Sequence, residues 1–392
     1  MKKNTKVNSS RTPIYRDAGF ELVNADLTAK AFESETDHNR VPDSFIYSRY
    51  RNPTVASAED EIIMIEKSKW ALLAQSGMAA IDIALSIFQE EGDTRPWLFF
   101  SEIYGGTNSY IDSVLIKRRG VEVVRFDPDN SGYNLENLEA LIVEKRPSLI
   151  YFEVISNPML IIADATRIIE IAKRYGVKTI IDNTFSTPML LRPLDIGADL
   201  VIHSATKYFG GHGNITAGVV CGNDSDLLKL AIEYRKFVGH MLAADEAYSL
   251  QTQIQTFYLR FRQQCENAYK IASFLYDHPL ISEVLYPGLP KHPTHNIAKS
   301  LFNDIGYGAM ISFDFDGNSA EIKRSRRDDF ISYVSDNIRL IPTLGDSHTI
   351  LMPVEPVWGY KYPEPGMIRL SVGFEDSKKI IGIIEQALSK LS

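Results

Sequence analysis

Short apolar runs recur along this chain from about residue 55, at 70–73, 97–100, 121–126, 149–152, 179–181, 200–202 and 217–220. They are continuous rather than alternating, the pattern of strands buried on both faces. Between them apolar residues recur at helical spacing. Met78, Ile81, Leu85 and Phe88 share one helical face. Ile168, Ile169, Ile171 and Ala172 form another, opened by Asp164 as a cap and closed by Gly176. This alternation predicts an α/β layer built on a mostly parallel sheet. A long helical stretch over 243–275 follows and leads into a second unit. There, strand-like runs at 310–315, 338–341 and 367–372 mix with a helix at 380–391, which predicts a smaller α+β domain. Residues 1–50 are polar and irregular, with Pro13 and Pro42, and bury little surface by themselves. They read as an arm lying on another subunit. No internal repeat interrupts this order.

Composition narrows the class. The chain has 392 residues, 44% of them hydrophobic, enough for two cores. Its formal net charge of -8 provides no basic field for nucleic acid or an anionic membrane. Two cysteines, Cys221 and Cys265, cannot build a disulfide framework or a four-ligand zinc site, so no metal is expected. No apolar run reaches the roughly 18–20 residues that span a bilayer. The basic stretch 1–6 has no apolar segment behind it, unlike a signal peptide. A cytoplasmic protein is the expectation.

Candidate chemistry gathers where strands end. Asp182 follows the run 179–181, and a carboxylate there faces the crevice in which α/β sheets bind ligands, although it could equally serve as a helix cap. His203-Ser204-Ala205-Thr206-Lys207-Tyr208 follows the next run. Ser204 and Thr206 carry small hydroxyl donors suited to a phosphate ester. Burial can make the Lys207 amine nucleophilic, whereas most lysines are simply solvated. Ala74-Gln75-Ser76-Gly77-Met78 is a small-residue turn opening a helix, whose free N–H groups attract phosphate. Tyr104, after the run 97–100, could stack on a flat heteroaromatic ring or pack as an ordinary tyrosine. Together these groups match pyridoxal 5'-phosphate (PLP). Its ring takes an anion at the protonated nitrogen and an aromatic on its face, its phosphate takes a cradle, and its aldehyde takes a lysine.

At these residues the chain resembles the Cys/Met-metabolism (trans-sulfuration) family of PLP enzymes. The resemblance runs from about Tyr47 to the C-terminus through Tyr47-Ser48-Arg49-Tyr50-Arg51-Asn52-Pro53-Thr54, Ser76-Gly77-Met78-Ala79-Ala80-Ile81, Asp182-Asn183-Thr184-Phe185, the Lys207 segment and Ile368-Arg369-Leu370-Ser371-Val372-Gly373. It implies an aspartate-aminotransferase-like fold (fold type I) with an arm at 1–55, a PLP-binding α/β domain at 56–250 and a C-terminal α+β domain at 251–392. By resemblance, Lys207 carries the cofactor as a Schiff base and shuttles protons, and Asp182 pairs with the pyridinium nitrogen. Tyr104 stacks on the ring and aids proton transfer. Gly77, Met78, Ser204 and Thr206 hold the phosphate. Tyr47 and Arg49 reach the phosphate of a neighbouring subunit's cofactor, so the resemblance also implies a homotetramer, a dimer of dimers with shared sites. Arg369 clamps the substrate carboxylate. Asn157 lies near the cofactor's phenolic oxygen and, with Thr343, near the substrate; Glu153 is close by.

The implied reaction is γ- or β-elimination on a sulfur-containing or other γ-substituted L-amino acid. A γ-replacement transferase is the alternative, and an inactive structural paralogue a third reading. Four departures from the family pattern bear on the substrate. Gly106 stands where members that split methionine carry cysteine, and Thr343 where many relatives carry serine. Gln253-Ile254-Gln255-Thr256-Phe257 lacks the usual lysine, and 352–360 replaces the usual His-Pro loop. They predict a γ-substituted substrate other than methionine, with Glu355 or Lys361 touching a distal polar group.

Overall fold

The computed structural model describes residues 9–362 and 364–391, so the basic stretch 1–6 lies outside the described residues. Among them the apolar runs become the strands β1 (Trp70–Ala74), β2 (Trp97–Phe100), β3 (Val123–Phe126), β4 (Leu149–Glu153), β5 (Lys178–Asp182), β6 (Leu200–His203) and β7 (Gly218–Gly222). They form one sheet in the order β1-β7-β6-β5-β4-β2-β3. All pairings are parallel except those of β7, which runs antiparallel to both neighbours. β1, β2, β4, β6 and β7 are buried at every position, because such runs need cover on both faces. Helices Pro53–Glu66, Gly77–Ser86, Ala165–Arg174 and Ser225–Val238 pack against the sheet and supply cover. Helix Gly77–Ser86 stops two residues short of Phe88. β3 begins at Val123 rather than 121; the Val121 N–H is taken by the Leu115 carbonyl (3.0 Å) of the preceding helical segment.

A second sheet contains β8 (Ile281–Leu285), β9 (Met310–Phe315), β10 (Arg339–Leu340), β11 (Ile350–Pro353) and β12 (Ile368–Ser371), in the order β10-β11-β12-β9-β8. It is antiparallel apart from β10–β11. Phe313, Phe330, Ile368 and Ile384 centre its own core.

The helical stretch at 243–275 is two helices, Ala244–Ile254 and Phe257–Tyr276. Arg260, in the first turn of the second helix, reaches back across the break. Its guanidinium donates to the Gln253 carbonyl (3.1 Å) and to those of Tyr208 (2.9 Å) and Phe209 (3.0 Å), fixing the turn behind Lys207. The second helix joins the cores: Phe257 and Phe261 pack in the first, Ile271 and Leu275 in the second. The N-terminal region is less irregular than its composition suggests. Asn24 caps an 11-residue helix, Ala25–Glu35, by accepting from the Leu27 N–H.

Candidate active site

The C-terminal ends of β2, β4, β5 and β6 and the N-terminus of helix Gly77–Ser86 border one cavity of about 240 Å³ between the two sheets. Gly77, Met78, Tyr104, Glu153, Asn157, Asp182, Ser204, Thr206, Lys207, Thr343 and Arg369 all line it. Tyr47 and Arg49 do not. Arg49 stacks on Tyr47 and Tyr50 and donates to the Lys236 carbonyl (2.6 Å), away from the cavity of its own chain.

Each wall has its own chemistry. At one end Ser76 caps the helix by accepting from the Ala79 N–H, which leaves the first N–H groups directed at the cavity. A Cβ on Gly77 would lie 2.9 Å from both Cβ and Oγ of Ser204, so glycine lets the helix end and the Ser204 hydroxyl close into one cradle. The Ser204 N–H donates to the Thr184 hydroxyl (2.9 Å), and that hydroxyl donates to Asp182 Oδ1 (2.5 Å). Asp182 Oδ1 also accepts from the Thr184 N–H (3.0 Å), and Oδ2 from the Tyr151 phenol (3.3 Å). Burial pushes the Asp182 carboxyl above its ordinary pKa, and the Thr184 bonds, His203 and Tyr151 work against that rise. A buried carboxylate of this kind is stabilised by a cation. Glu153 lies close by, pushed well above the carboxylate range by burial and then by Asp182, and accepts from the Tyr104 N–H (2.6 Å).

At the other end, the Lys207 ammonium donates to Thr343 Oγ1 (2.8 Å). Burial and the positive charge of Arg369 lower its pKa to about 8. Arg369 donates to Asn157 Oδ1 (2.9 Å) and to the Thr343 carbonyl (3.2 Å). Burial lowers its pKa to about 10, so it remains a cation. Tyr104 is half exposed and stands at the residue before helix Gly105–Tyr110, with no capping bond from its side chain. A Cβ on Gly106 would lie 2.4 Å from the Tyr104 ring, so a side chain at 106 is incompatible with this placement of the phenol.

These residues form a phosphate-sized cradle, a buried anion, an aromatic rim and a lysine of lowered pKa in one cavity, in the order that PLP presents its groups. The model of the Cys/Met metabolism PLP-dependent enzyme family matches residues 1–389. The chain belongs to that family. It is 33% identical to cystathionine gamma-synthase of Mycobacterium tuberculosis over 95% of this chain and 93% of that one. It is 32% identical to L-methionine gamma-lyase of Porphyromonas gingivalis (97% and 92%), and 35% identical to cystathionine beta-lyase of Lactococcus lactis (89% and 90%). A Campylobacter jejuni crystal structure that carries a pyridoxyl-lysine phosphate superposes with a TM-score of 0.86 at 28% identity, over 97% of this chain and 96% of that one. The fold is thus that of fold type I PLP enzymes, and the protein is a PLP-dependent trans-sulfuration enzyme.

Family membership brings three further groups into view. Thr184 and Tyr151 hold Asp182. Thr184 lay inside a recognised motif, whereas Tyr151 sits mid-strand, where only the fold brings it to Asp182. Trp358 lies over Arg369, within the loop that departs from the family pattern. The expected distal contacts are corrected. Glu355 is bonded to Arg324 and Arg327, and Lys361 to the Ser101 carbonyl (2.9 Å) and Glu102 (2.8 Å). Neither lines the cavity. Among the described residues no helix is long and apolar enough to cross a membrane, and no group of three or more His, Cys, Asp or Glu is placed to hold a metal ion.

Proposed function

We propose that the enzyme catalyses elimination at the γ-carbon, or the β-carbon, of a sulfur-containing or other γ-substituted L-amino acid, releasing an α-keto acid, ammonia and the leaving group. The observation that carries this reading is the contact chain Lys207–Thr343–Arg369–Asn157. It sets an amine able to move a proton beside a guanidinium shaped for a carboxylate. When bound, PLP supplies the electron sink for the carbanion chemistry.

The chain's own residues do the rest. With PLP bound, the Asp182 carboxylate would hold the proton on the ring nitrogen and Tyr104 would lie against the ring. The N–H groups of Gly77 and Met78 and the hydroxyls of Ser204 and Thr206 hold the phosphate. Arg369, steadied by Asn157, orients the substrate carboxylate. Lys207 Nζ takes the proton from the substrate Cα, guided by Thr343 Oγ1, and a second proton shift lets the γ-substituent depart. Tyr47 and Arg49 serve the cavity of a second copy within a homotetramer. The division into arm 1–55, PLP-binding domain 56–250 and C-terminal domain 251–392 is part of the same reading. Cys221 and Cys265, free and buried, support a reducing, cytoplasmic setting.

Similarity to a cystathionine gamma-synthase favours a second reading, γ-replacement, in which a thiol adds where elimination would release product. The two share every residue named above. The purified PLP enzyme, given cystathionine, methionine, homocysteine, cysteine and the O-acyl-homoserines with and without thiol, tells them apart. Keto acid without thiol supports the lyase, and the substrate that reacts names the leaving group. A thioether formed only with thiol moves the assignment to the transferase. Turnover of methionine at ordinary enzyme efficiency would remove the expectation of a different γ-substituent.

A further inference from the structure

The chain between β11 and β12 crosses from the second sheet to the rim of the first, and it is pinned at both ends. Glu355 accepts from Arg324 Nε (2.9 Å) and Nη2 (2.6 Å) and from Arg327 Nη1 (3.1 Å). Lys361 is held by the Ser101 carbonyl and Glu102, and the Tyr362 phenol donates to the other oxygen of Glu102 (2.7 Å). Glu102 is buried and lies two residues before Tyr104. Between the two anchors Trp358 packs against a small apolar cluster of Leu285, Val354, Tyr362 and Met367. Its ring lies 5.2 Å from the Arg369 guanidinium. Its indole nitrogen would lie 3.7 Å from a Cβ on Gly105, beside Tyr104. One side chain therefore lies against the cation at the back of the cavity and faces Gly105 in the loop at its mouth.

We propose that Trp358 is a positioning residue for the substrate carboxylate, acting through Arg369. Two N–H groups of the guanidinium are engaged by Asn157 and the Thr343 carbonyl, which fixes its edge. The indole covers one face, adds cation–π attraction and keeps water from that side. A guanidinium held by edge and face presents its remaining N–H groups in one orientation, so less freedom is lost when a carboxylate binds. Glu355 and Lys361 are consumed in the anchors of the strap and neither lines the cavity, leaving the aromatic face as its contribution to the site. This inference rests on the reading of Arg369 as the carboxylate group.

The test compares two ligands that differ only in that carboxylate, L-alanine and ethylamine, titrated into the holoenzyme and followed by the cofactor's absorbance. Trp358→Leu is expected to weaken L-alanine about 3- to 30-fold and to leave ethylamine within about twofold. Trp358→Phe, which keeps an aromatic face, should fall between Leu and wild type. In an Arg369→Ala background Trp358→Leu should add nothing further. Unchanged L-alanine binding in Trp358→Leu, or equal weakening of both ligands, overturns the inference while leaving Arg369 in its role. If Arg369→Ala leaves the preference for L-alanine over ethylamine intact, the reading of Arg369 falls, and the role of Trp358 with it.

Discussion

At the scale of single residues, the chemistry turns on where Lys207 keeps its proton. Burial and Arg369 bring its pKa to about 8, so the neutral, nucleophilic amine predominates above that pH. Uptake of PLP by the apoprotein should therefore speed up between pH 7 and 9 and then level off. An ordinary lysine would keep gaining about tenfold per pH unit until beyond pH 10. Stopped-flow absorbance reads the rate directly, and a climb that continues unbroken to pH 10 would contradict the lowered value. Lys207→Ala should lose covalent attachment of the cofactor and slow turnover by about three orders of magnitude or more. A variant with full activity would displace Lys207 from its role. Gly106 makes a second residue-scale case. Because a Cβ there would strike the Tyr104 ring, Gly106→Cys should force the phenol to rotate and lower kcat, visible as a changed cofactor circular dichroism band. Unchanged kcat and band would show that Tyr104 can serve from another rotamer. The place of Asp182 and Lys207 on the cavity was legible because each follows a buried strand and the two motifs together carry the family resemblance; neither pattern alone singled its residue out. Tyr151 was not legible, because its partner lies on the neighbouring strand and no spacing along the chain links them.

At the scale of elements, helix Gly77–Ser86, whose N-terminus borders the cavity, is held from its far side. Asp82 accepts from Arg119 (2.7 Å), Ser86 (3.2 Å), Tyr234 (3.0 Å) and the Tyr110 phenol, and meets His240 Nε2 at 2.9 Å. Burial opposes its charge, but the bonds from His240 and Tyr110 and the charge of Arg119 outweigh burial and hold its carboxyl below the usual range. Gln75, which leads into the cradle, touches His240 on its other nitrogen (3.5 Å). Asp82→Asn should lower stability by about 2–4 kcal/mol, since it leaves a cation and several donors without their acceptor. It should also weaken PLP binding by loosening the helix that presents the cradle. Denaturant midpoints and cofactor titration measure the two effects, and a stable variant with wild-type affinity would show that the network anchors nothing. Elements were legible where one pattern ran unbroken, as in β2, β4 and β6. β8 and β11 were missed because Ser282 and Glu283 interrupt one run and Pro353 ends the other, a residue that sheets admit mainly at edges and ends. The break at 255–256 left no mark in the periodicity. It follows from Arg260 reaching the carbonyls behind Lys207, a tertiary contact.

At the scale of the whole molecule, the arm leaves apolar surface open. Val23 is 81% exposed, Leu27, Phe32 and Val41 are exposed in the same segment, and Tyr47 and Arg49 stand clear of the cavity in their own chain. The polarity of residues 1–50 suggested a segment that needs a second surface, and the identity of that surface is not written along the segment itself. If that surface is a second copy, and if Tyr47 and Arg49 complete its phosphate site, two inactive variants should rescue one another. Arg49→Ala keeps its lysine but spoils its partner's cradle, and Lys207→Ala keeps its arm but lacks the amine. In a mixed dimer, one cavity combines an intact lysine with an intact arm from the other chain, and the second cavity carries both defects. Denaturing and refolding the two together should thus restore about a quarter of wild-type activity once chains pair at random. Each variant refolded alone should stay near its own low level. If the arm instead serves the cavity of its own chain, every site in the mixture keeps one defect and no activity returns. The mixture therefore reports on exchange between subunits independently of which amino acid the enzyme consumes.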